Sequence, residues 1–281
     1  SDLMDKEKFY ELCEAHGIDY PKTYVCTAEN YQTLAVPFDA PYILKPANQV
    51  EYYKHKFDGQ KKVFKLDSLE ELAETVKKVY QAGYTDHMII QDFLPGDDTY
   101  MRVLTSYSDR NGKVKMMCLG HVLLEEHTPY VIITEYEKEL MEKFKNLLES
   151  IHFTGFSNFD IKFDKRDGKY KAFEINTRQG RSNFYVTGSG HNVAKLFVED
   201  AVYGHELPED IAENEYLWMV VPKKVAYTYA PAYKERMKKL IREKKYVNPL
   251  WMKGDNDPER IFRLIRSQLG HFVKFKKYLG K

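Results

Sequence analysis

Two runs of alternating residues, Phe159-Asp160-Ile161-Lys162-Phe163 and Tyr170-Lys171-Ala172-Phe173-Glu174-Ile175-Asn176, flank Arg166-Asp167-Gly168, a pattern that leaves few alternatives to a β-hairpin. Side chains alternate between the two faces of a strand. Asp160 and Lys162 therefore share one face of the first arm, and Glu174 and Asn176 share one face of the second. Antiparallel pairing can bring these faces together, and Asp160, Glu174 and Asn176 then offer the oxygen ligands that a hard cation such as Mg²⁺ prefers. Arg178 and Arg181 follow at once, with planar donors suited to phosphate or carboxylate oxygens. Most polar hairpin faces are simply solvated. Here the carboxylate and amide are expected to lie buried among Phe173, Ile175 and the flanking strand, where uncompensated polar groups cost several kcal/mol.

The remaining pattern mixes helices and strands. Asp5 is placed to cap a helix whose apolar stripe is Phe9, Leu12 and Cys13, with Gly17 as its stop. Tyr42-Ile43-Leu44-Lys45, between Pro41 and Pro46, reads as a short strand with Lys45 at its mouth, and residues 47–61 as a polar loop. Ser68 and Glu71 form a capping box ahead of a helix that stops at Gly83. A strand over Met88 to Phe93 runs into Leu94-Pro95-Gly96-Asp97-Asp98, and strands near 99–107 and 113–123 join through Asp109-Arg110-Asn111-Gly112. Thr134 and Glu137 read as a second capping box, opening a helix with Leu140, Met141, Phe144, Leu147, Leu148 and Ile151 on one stripe. A helix over 192–203, a strand over 217–222 and two helices from about residue 231 complete the reading. Changes of pattern divide the chain into an entry helix at 1–19 and segments 20–95, 96–205 and 206–281.

Charge excludes one class of function. With 43 Lys+Arg against 42 Asp+Glu, there is no bulk cationic field to draw the chain to nucleic acid, and its 22 Tyr and 16 Phe are not interleaved with a dense basic stripe. The basic residues from Lys223 to Lys245 read as a solvated helix face. Cys13, Cys26 and Cys118 are odd in number and irregular in spacing, which argues against a disulfide framework or structural zinc and for a reducing, cytoplasmic setting. No apolar run is long enough for a transmembrane span, and residues 1–20 lack the core of a signal peptide. His55, His121, His127 and His191 are scattered and read as non-ligands, with His55 a loop contact.

Three elements stand in a telling order: Ile43-Leu44-Lys45-Pro46, then Gln91-Asp92-Phe93-Leu94-Pro95-Gly96-Asp97-Asp98, then Phe173-Glu174-Ile175-Asn176-Thr177-Arg178. With these the chain resembles the ATP-grasp superfamily across most of residues 2–205. The resemblance implies an α+β fold in which two subdomains with antiparallel sheets sandwich ATP, followed here by a helical C-terminal extension. It makes residues 20–95 the lid subdomain and 96–205 the metal-binding and catalytic one. It matches Lys6 and Lys45 to lysines on the nucleotide phosphates. Gln91, Asp92, Phe93 and Leu94 match the hinge strand that meets adenine, with Phe93 and Leu94 presenting backbone groups, and Asp98 matches the acid on the ribose hydroxyls. Asp160, Glu174 and Asn176 match the ligands of two Mg²⁺ ions, and Arg178 the arginine beside the transferred phosphoryl group. Arg181, by position, is suited to an acceptor carboxylate or acyl phosphate.

Asp5-Lys6-Glu7-Lys8-Phe9, Leu44-Lys45-Pro46-Ala47-Asn48 and Glu174-Ile175-Asn176-Thr177-Arg178-Gln179-Gly180-Arg181 are similar to bacterial carboxylate–amine ligases, the group that includes D-aspartate ligase. This resemblance implies an amino acid carboxylate activated by ATP as an acyl phosphate and then joined to an amine, such as the lysine side chain of a peptidoglycan precursor. The alternatives are a ligase for another amino acid or peptide, and a nucleotide-binding module without catalysis. Two departures stand out. The family's phosphate-covering loop is commonly glycine-rich, whereas residues 47–62 hold one glycine, Gly59, so Lys, His and Asn side chains are expected to replace bare amides there. The family also places a smaller α/β domain upstream, for which this chain has no room.

Overall fold

The computed structural model describes residues 6–126, 128–252 and 254–280. The expected cap Asp5 and non-ligand His127 lie outside the described residues. The chain divides into two compact units, Ser1–Glu11 with Asp19–Pro95, and Leu12–Ile18 with Gly96–Lys281.

The first unit contains most of α1 (Lys6–Ala15), then β1 (Thr23–Cys26), β2 (Tyr42–Pro46), α2 (Gln49–Tyr52), β3 (Phe64–Leu66), α3 (Leu69–Gln81) and β4 (Met88–Asp92). The strands form an antiparallel sheet in the order β1-β4-β2-β3. The α3 capping box forms as read: Ser68 accepts from the Glu71 N–H, and the Glu71 carboxylate accepts from the Asp67 N–H. Leu72, Val76, Val79 and Tyr80 then pack into a core with Leu44, Met88 and Ile90. The segment read as a polar loop is more ordered than expected. It contains α2, capped by Asn48, and the buried Tyr52, whose hydroxyl donates to Lys61 O.

The second unit holds β5 (Met101–Ser108), β6 (Val114–Glu125), β7 (Pro129–Glu135), α4 (Lys138–Ser150), β8 (Gly155–Asp164), β9 (Lys169–Asn176), α5 (Phe184–Gly188), α6 (Val193–Phe197), β10 (Asp210–Ile211), β11 (Leu217–Met219), α7 (Lys223–Tyr229), α8 (Lys234–Arg242), β12 (Tyr246–Val247) and α9 (Pro258–Leu279). Its sheet runs β12-β11-β7-β6-β5-β8-β9, with β10 alongside β6. The glycine turns at Gly112 and Gly168 both adopt positive φ and close the two hairpins that their sequences announced. Among the described residues no helix is long and apolar enough to cross a membrane.

Thr134 corrects the second capping box. It lies in β7, where its hydroxyl donates to Asn214 O and accepts from Tyr216 N–H. Helix α4 starts later, with Glu137 at its N-cap making no side-chain bond. The apolar run Val131-Ile132-Ile133, fully buried, carries the strand through the local cap signal.

Glu135 ties this unit together. Arg102 Nε donates to it at 2.9 Å, His121 Nδ1 lies 2.8 Å away, and Arg236 Nη1 donates from α8 at 3.3 Å. Burial alone would raise its pKa, but the His121 bond and the Arg102 and Arg236 guanidiniums outweigh burial and pull it from 4.5 to about 2. A depressed carboxylate stabilises the fold above its unfolded pKa and loses that contribution as pH falls toward the folded value. We expect on the order of 3 kcal/mol of acid-sensitive stability between pH 4.5 and 2. Denaturant titrations of Glu135→Gln should show a flatter acid limb than the unaltered protein; an unchanged slope would remove this assignment.

Candidate functional site

In the first unit, Lys45 is carried on β2, 9% exposed and in register with Ile89 of β4. Lys6 Nζ donates to Pro46 O at 3.2 Å and Ala47 O at 3.4 Å. The two lysines matched to nucleotide phosphates, 39 residues apart in sequence, are thus both carried to the same end of β2. The hinge segment is more occupied than expected. Gln91 is buried, its amide donating to Tyr10 and Thr23 hydroxyls at 2.9 Å each, so its side chain braces the fold. Asp92 N–H donates to Lys22 O, and Phe93 N–H donates to Pro41 O, so both amides are engaged within this unit. Leu94 is buried.

Three of the loop side chains expected to replace glycine amides are also committed. Asn48 caps α2, Lys54 pairs with Glu51, and His55 lies within bonding distance of Glu51 and Ala82 O. Each is satisfied within the loop's own neighbourhood, and His55 makes its contacts there, in keeping with a non-ligand.

The second unit gathers most of the chemistry. In the β8–β9 register Asp160 sits opposite Glu174 and Asn158 opposite Asn176, while the register shift at Phe173 forms a β-bulge. The bulge keeps Glu174 level with Asp160 and re-aims the strand end. Asp160, Glu174 and Asn176 are half-buried, and so is Phe173, so the set is more open than its sequence suggested. Two carboxylates directly opposite on neighbouring strands repel each other. This all-oxygen donor set suits a hard cation. Among the described residues no three His, Cys, Asp or Glu side chains cluster as metal ligands, so Asn176 is the third donor of the candidate set.

A cavity of about 140 Å³ opens beside this pair, lined by Asp160, Asn176, Arg178, Arg181, Asn183 and Glu125 among others. Arg178 and Arg181 are exposed on the loop after β9. Arg178 donates to Gln179 O at 3.2 Å, with Asn176 Oδ1 at 3.5 Å, and its own carbonyl accepts from the Asn158 amide. Gly180 leaves room for Asn183: a Cβ would come 2.8 Å from Asn183 Oδ1 and displace that amide. Asp98 accepts from Glu125 N–H at 2.8 Å, and burial lifts its pKa above the usual carboxylate range. Asp97 caps its own turn through Thr99. Of the remaining histidines, His121 and His191 pair with Glu135 and Asp210.

Glu125 and Asn183 escaped the sequence reading. Glu125 ends an apolar strand, a position that signals nothing until Asp98 and the loop at 178–183 surround it.

No protein-family model matches the chain. It is 41% identical over 294 residues to the D-aspartate ligase of Enterococcus faecium (strain Aus0004), an alignment covering 98% of this chain and 70% of the relative. It is 22% identical to the D-alanine–D-alanine ligase of Wolbachia sp. subsp. Brugia malayi (strain TRS), over 73% of this chain and 68% of that one. Among solved structures, the ADP complex of a carboxyaminoimidazole ribonucleotide synthetase matches with a TM-score of 0.60 at 12% identity, covering 85% of this chain and 61% of that one. The biotin carboxylase domain of Hydrogenobacter thermophilus 2-oxoglutarate carboxylase matches with a TM-score of 0.58 at 16% identity, covering 76% and 49%. The chain thus spans less than two thirds of these two structures. They carry the fold, and the mixed α+β architecture with antiparallel sheets is that of ATP-grasp proteins. The sequence relative carries the family: the chain belongs to the D-aspartate ligase family of ATP-grasp carboxylate–amine ligases.

Proposed function

We propose that this chain activates the β-carboxylate of D-aspartate with ATP and joins it to an amine, the lysine side chain of a peptidoglycan precursor. The γ-phosphoryl group passes to the carboxylate with release of ADP. The amine nitrogen then attacks the acyl carbon, orthophosphate leaves, and the nitrogen gives up a proton as the amide forms. Carboxylate and triphosphate repel, so the site must neutralise charge before they meet.

The residues support a division of labour. In the first unit, Lys6 and Lys45 would meet the nucleotide phosphates, and the chain from Asp92 to Leu94 the adenine edge. In the second, Asp98 would meet the ribose, and Asp160, Glu174 and Asn176 would hold Mg²⁺, which supplies positive charge to the phosphate oxygens. Arg178 would steady the transferred phosphoryl group and Arg181 a substrate carboxylate. The observation that carries this reading is the apposition of Asp160 and Glu174 beside a cavity rimmed by Arg178 and Arg181.

Phosphate release with ATP and Mg²⁺ over a panel of amino acids tests it. D-Aspartate should stimulate release without any amine, through slow hydrolysis of the acyl phosphate, and an amine acceptor should stimulate it further. A response to a different amino acid would replace D-aspartate, and binding of ATP with silence across the panel would leave a nucleotide-binding module.

A further inference from the structure

Glu125 stands at the end of β6, half-buried and lining the cavity of the second unit. Its backbone N–H is given to Asp98, yet its own carboxylate makes no hydrogen bond or ion pair among the described residues. Burial first, and then the nearby Asp98 carboxylate, push its pKa from 4.5 up to about 7. A half-buried carboxylate facing a cavity without a cation is costly, and a cation bound there would offset that cost. The absence of any three-residue acidic or histidine metal cluster among the described residues separates Glu125 from the Asp160–Glu174 pair as a further metal ligand.

The same cavity holds complementary donors. Asn183 is 3% exposed and its Nδ2 has no partner among the described residues, while its Oδ1 lies 3.4 Å from the Thr105 hydroxyl that can donate to it. A buried amide donor without a partner, on a residue that lines the cavity, asks for an acceptor. Arg181, exposed at the rim, makes no ion pair among the described residues. One uncommitted anion and two uncommitted donors around a single cavity match a zwitterion.

We propose that Glu125 is the residue that recognises the α-ammonium of the amino acid substrate, with Arg181 and Asn183 Nδ2 holding the carboxylate that is not phosphorylated. This assignment rests on the ligase reading above and adds to it the reason why an amino acid is chosen over a plain dicarboxylate.

Succinate, which carries both carboxylates of aspartate and lacks the ammonium, separates the two. Phosphate release by the unaltered protein, without amine, should favour D-aspartate over succinate by about 30-fold or more in kcat/KM, the scale expected when a buried charge pair is left half-made. Glu125→Gln should lose about that factor for D-aspartate, mostly through KM, and leave succinate unchanged, so the preference collapses. Glu125→Asp should retain it in part. The KM for ATP and the Mg²⁺ dependence should not move in either variant, which also reports that each folds. Three results overturn the assignment: an intact preference in Glu125→Gln, equal losses for both acids, or a shifted Mg²⁺ requirement. Calorimetry of D-aspartate binding to the unaltered protein with ATP and Mg²⁺ keeps the two readings apart. Binding without phosphate release in that protein, lost in Glu125→Gln, would sink the ligase reading and keep Glu125; absence of both binding and release would sink both.

Discussion

Glu174→Gln should cost at least about 100-fold in Mg²⁺-dependent turnover while leaving the protein as stable as before, or slightly more stable, when no divalent cation is present. The two halves of this expectation come from one feature, the placement of Glu174 directly opposite Asp160 across β8 and β9. Like charges in that relation destabilise a sheet by a few tenths of a kcal/mol to about 1 kcal/mol, so removing one relieves the apo fold. A glutamine oxygen is a poorer ligand for a hard cation than a carboxylate, and a weakened metal forfeits several kcal/mol of charge stabilisation on the phosphoryl oxygens. Each 1.4 kcal/mol is about tenfold in rate, which sets the scale of the loss. Thermal melts with and without Mg²⁺ separate this from a purely structural role: the unaltered protein should gain stability from Mg²⁺ with ATP, and the variant should gain much less. Wild-type turnover in the variant, or a melt that falls without metal, would defeat the metal assignment.

How much of this site could be read from the chain depends on the range of the forces that made it. The β8–β9 hairpin was legible because alternation and the Asp167-Gly168 turn are local signals, and α3 because Ser68 and Glu71 satisfy each other's neighbourhood within one turn. The convergence of Lys6 on Pro46 was not legible, since nothing in residues 6–8 encodes a partner 40 positions away. The same holds for Gln91, matched to the adenine hinge, whose amide is taken by the Tyr10 and Thr23 hydroxyls. Thr134 shows the opposite failure: its cap signal was local and clear, and strand pairing across the sheet overrode it. Short strands such as β1 and β3 owe their form to neighbours, having too few residues for periodicity to declare them. Family resemblance pointed to the candidate oxygen ligands and basic residues. The side-chain environments around them, including that of Glu125, arise from tertiary packing.

Lys45→Ala should raise the dissociation constant for ATP by about 10- to 100-fold, the equivalent of one charge-assisted contact of roughly 1.5–3 kcal/mol. Lys45 lies almost wholly out of solvent on β2, between β3 and β4, and Lys6 brings a second ammonium to the next residue's carbonyl. Two cations at one strand end repel each other, and an anion bound beside both relieves that repulsion, so ATP affinity should depend on each lysine and on the pair non-additively. Because alanine also removes an aliphatic stem that packs against the sheet, the decisive variant is Lys45→Met, which keeps the stem and deletes the charge. If the ammonium acts on phosphate, methionine and alanine should weaken ATP to similar extents, while only alanine lowers the melting temperature. The loss should be greatest at low ionic strength, less so at 0.5 M salt, as expected for a charge contact that screening already weakens. Calorimetric titration of ATP against the three proteins decides the matter, and an unchanged constant in Lys45→Met would transfer the phosphate contact to another group.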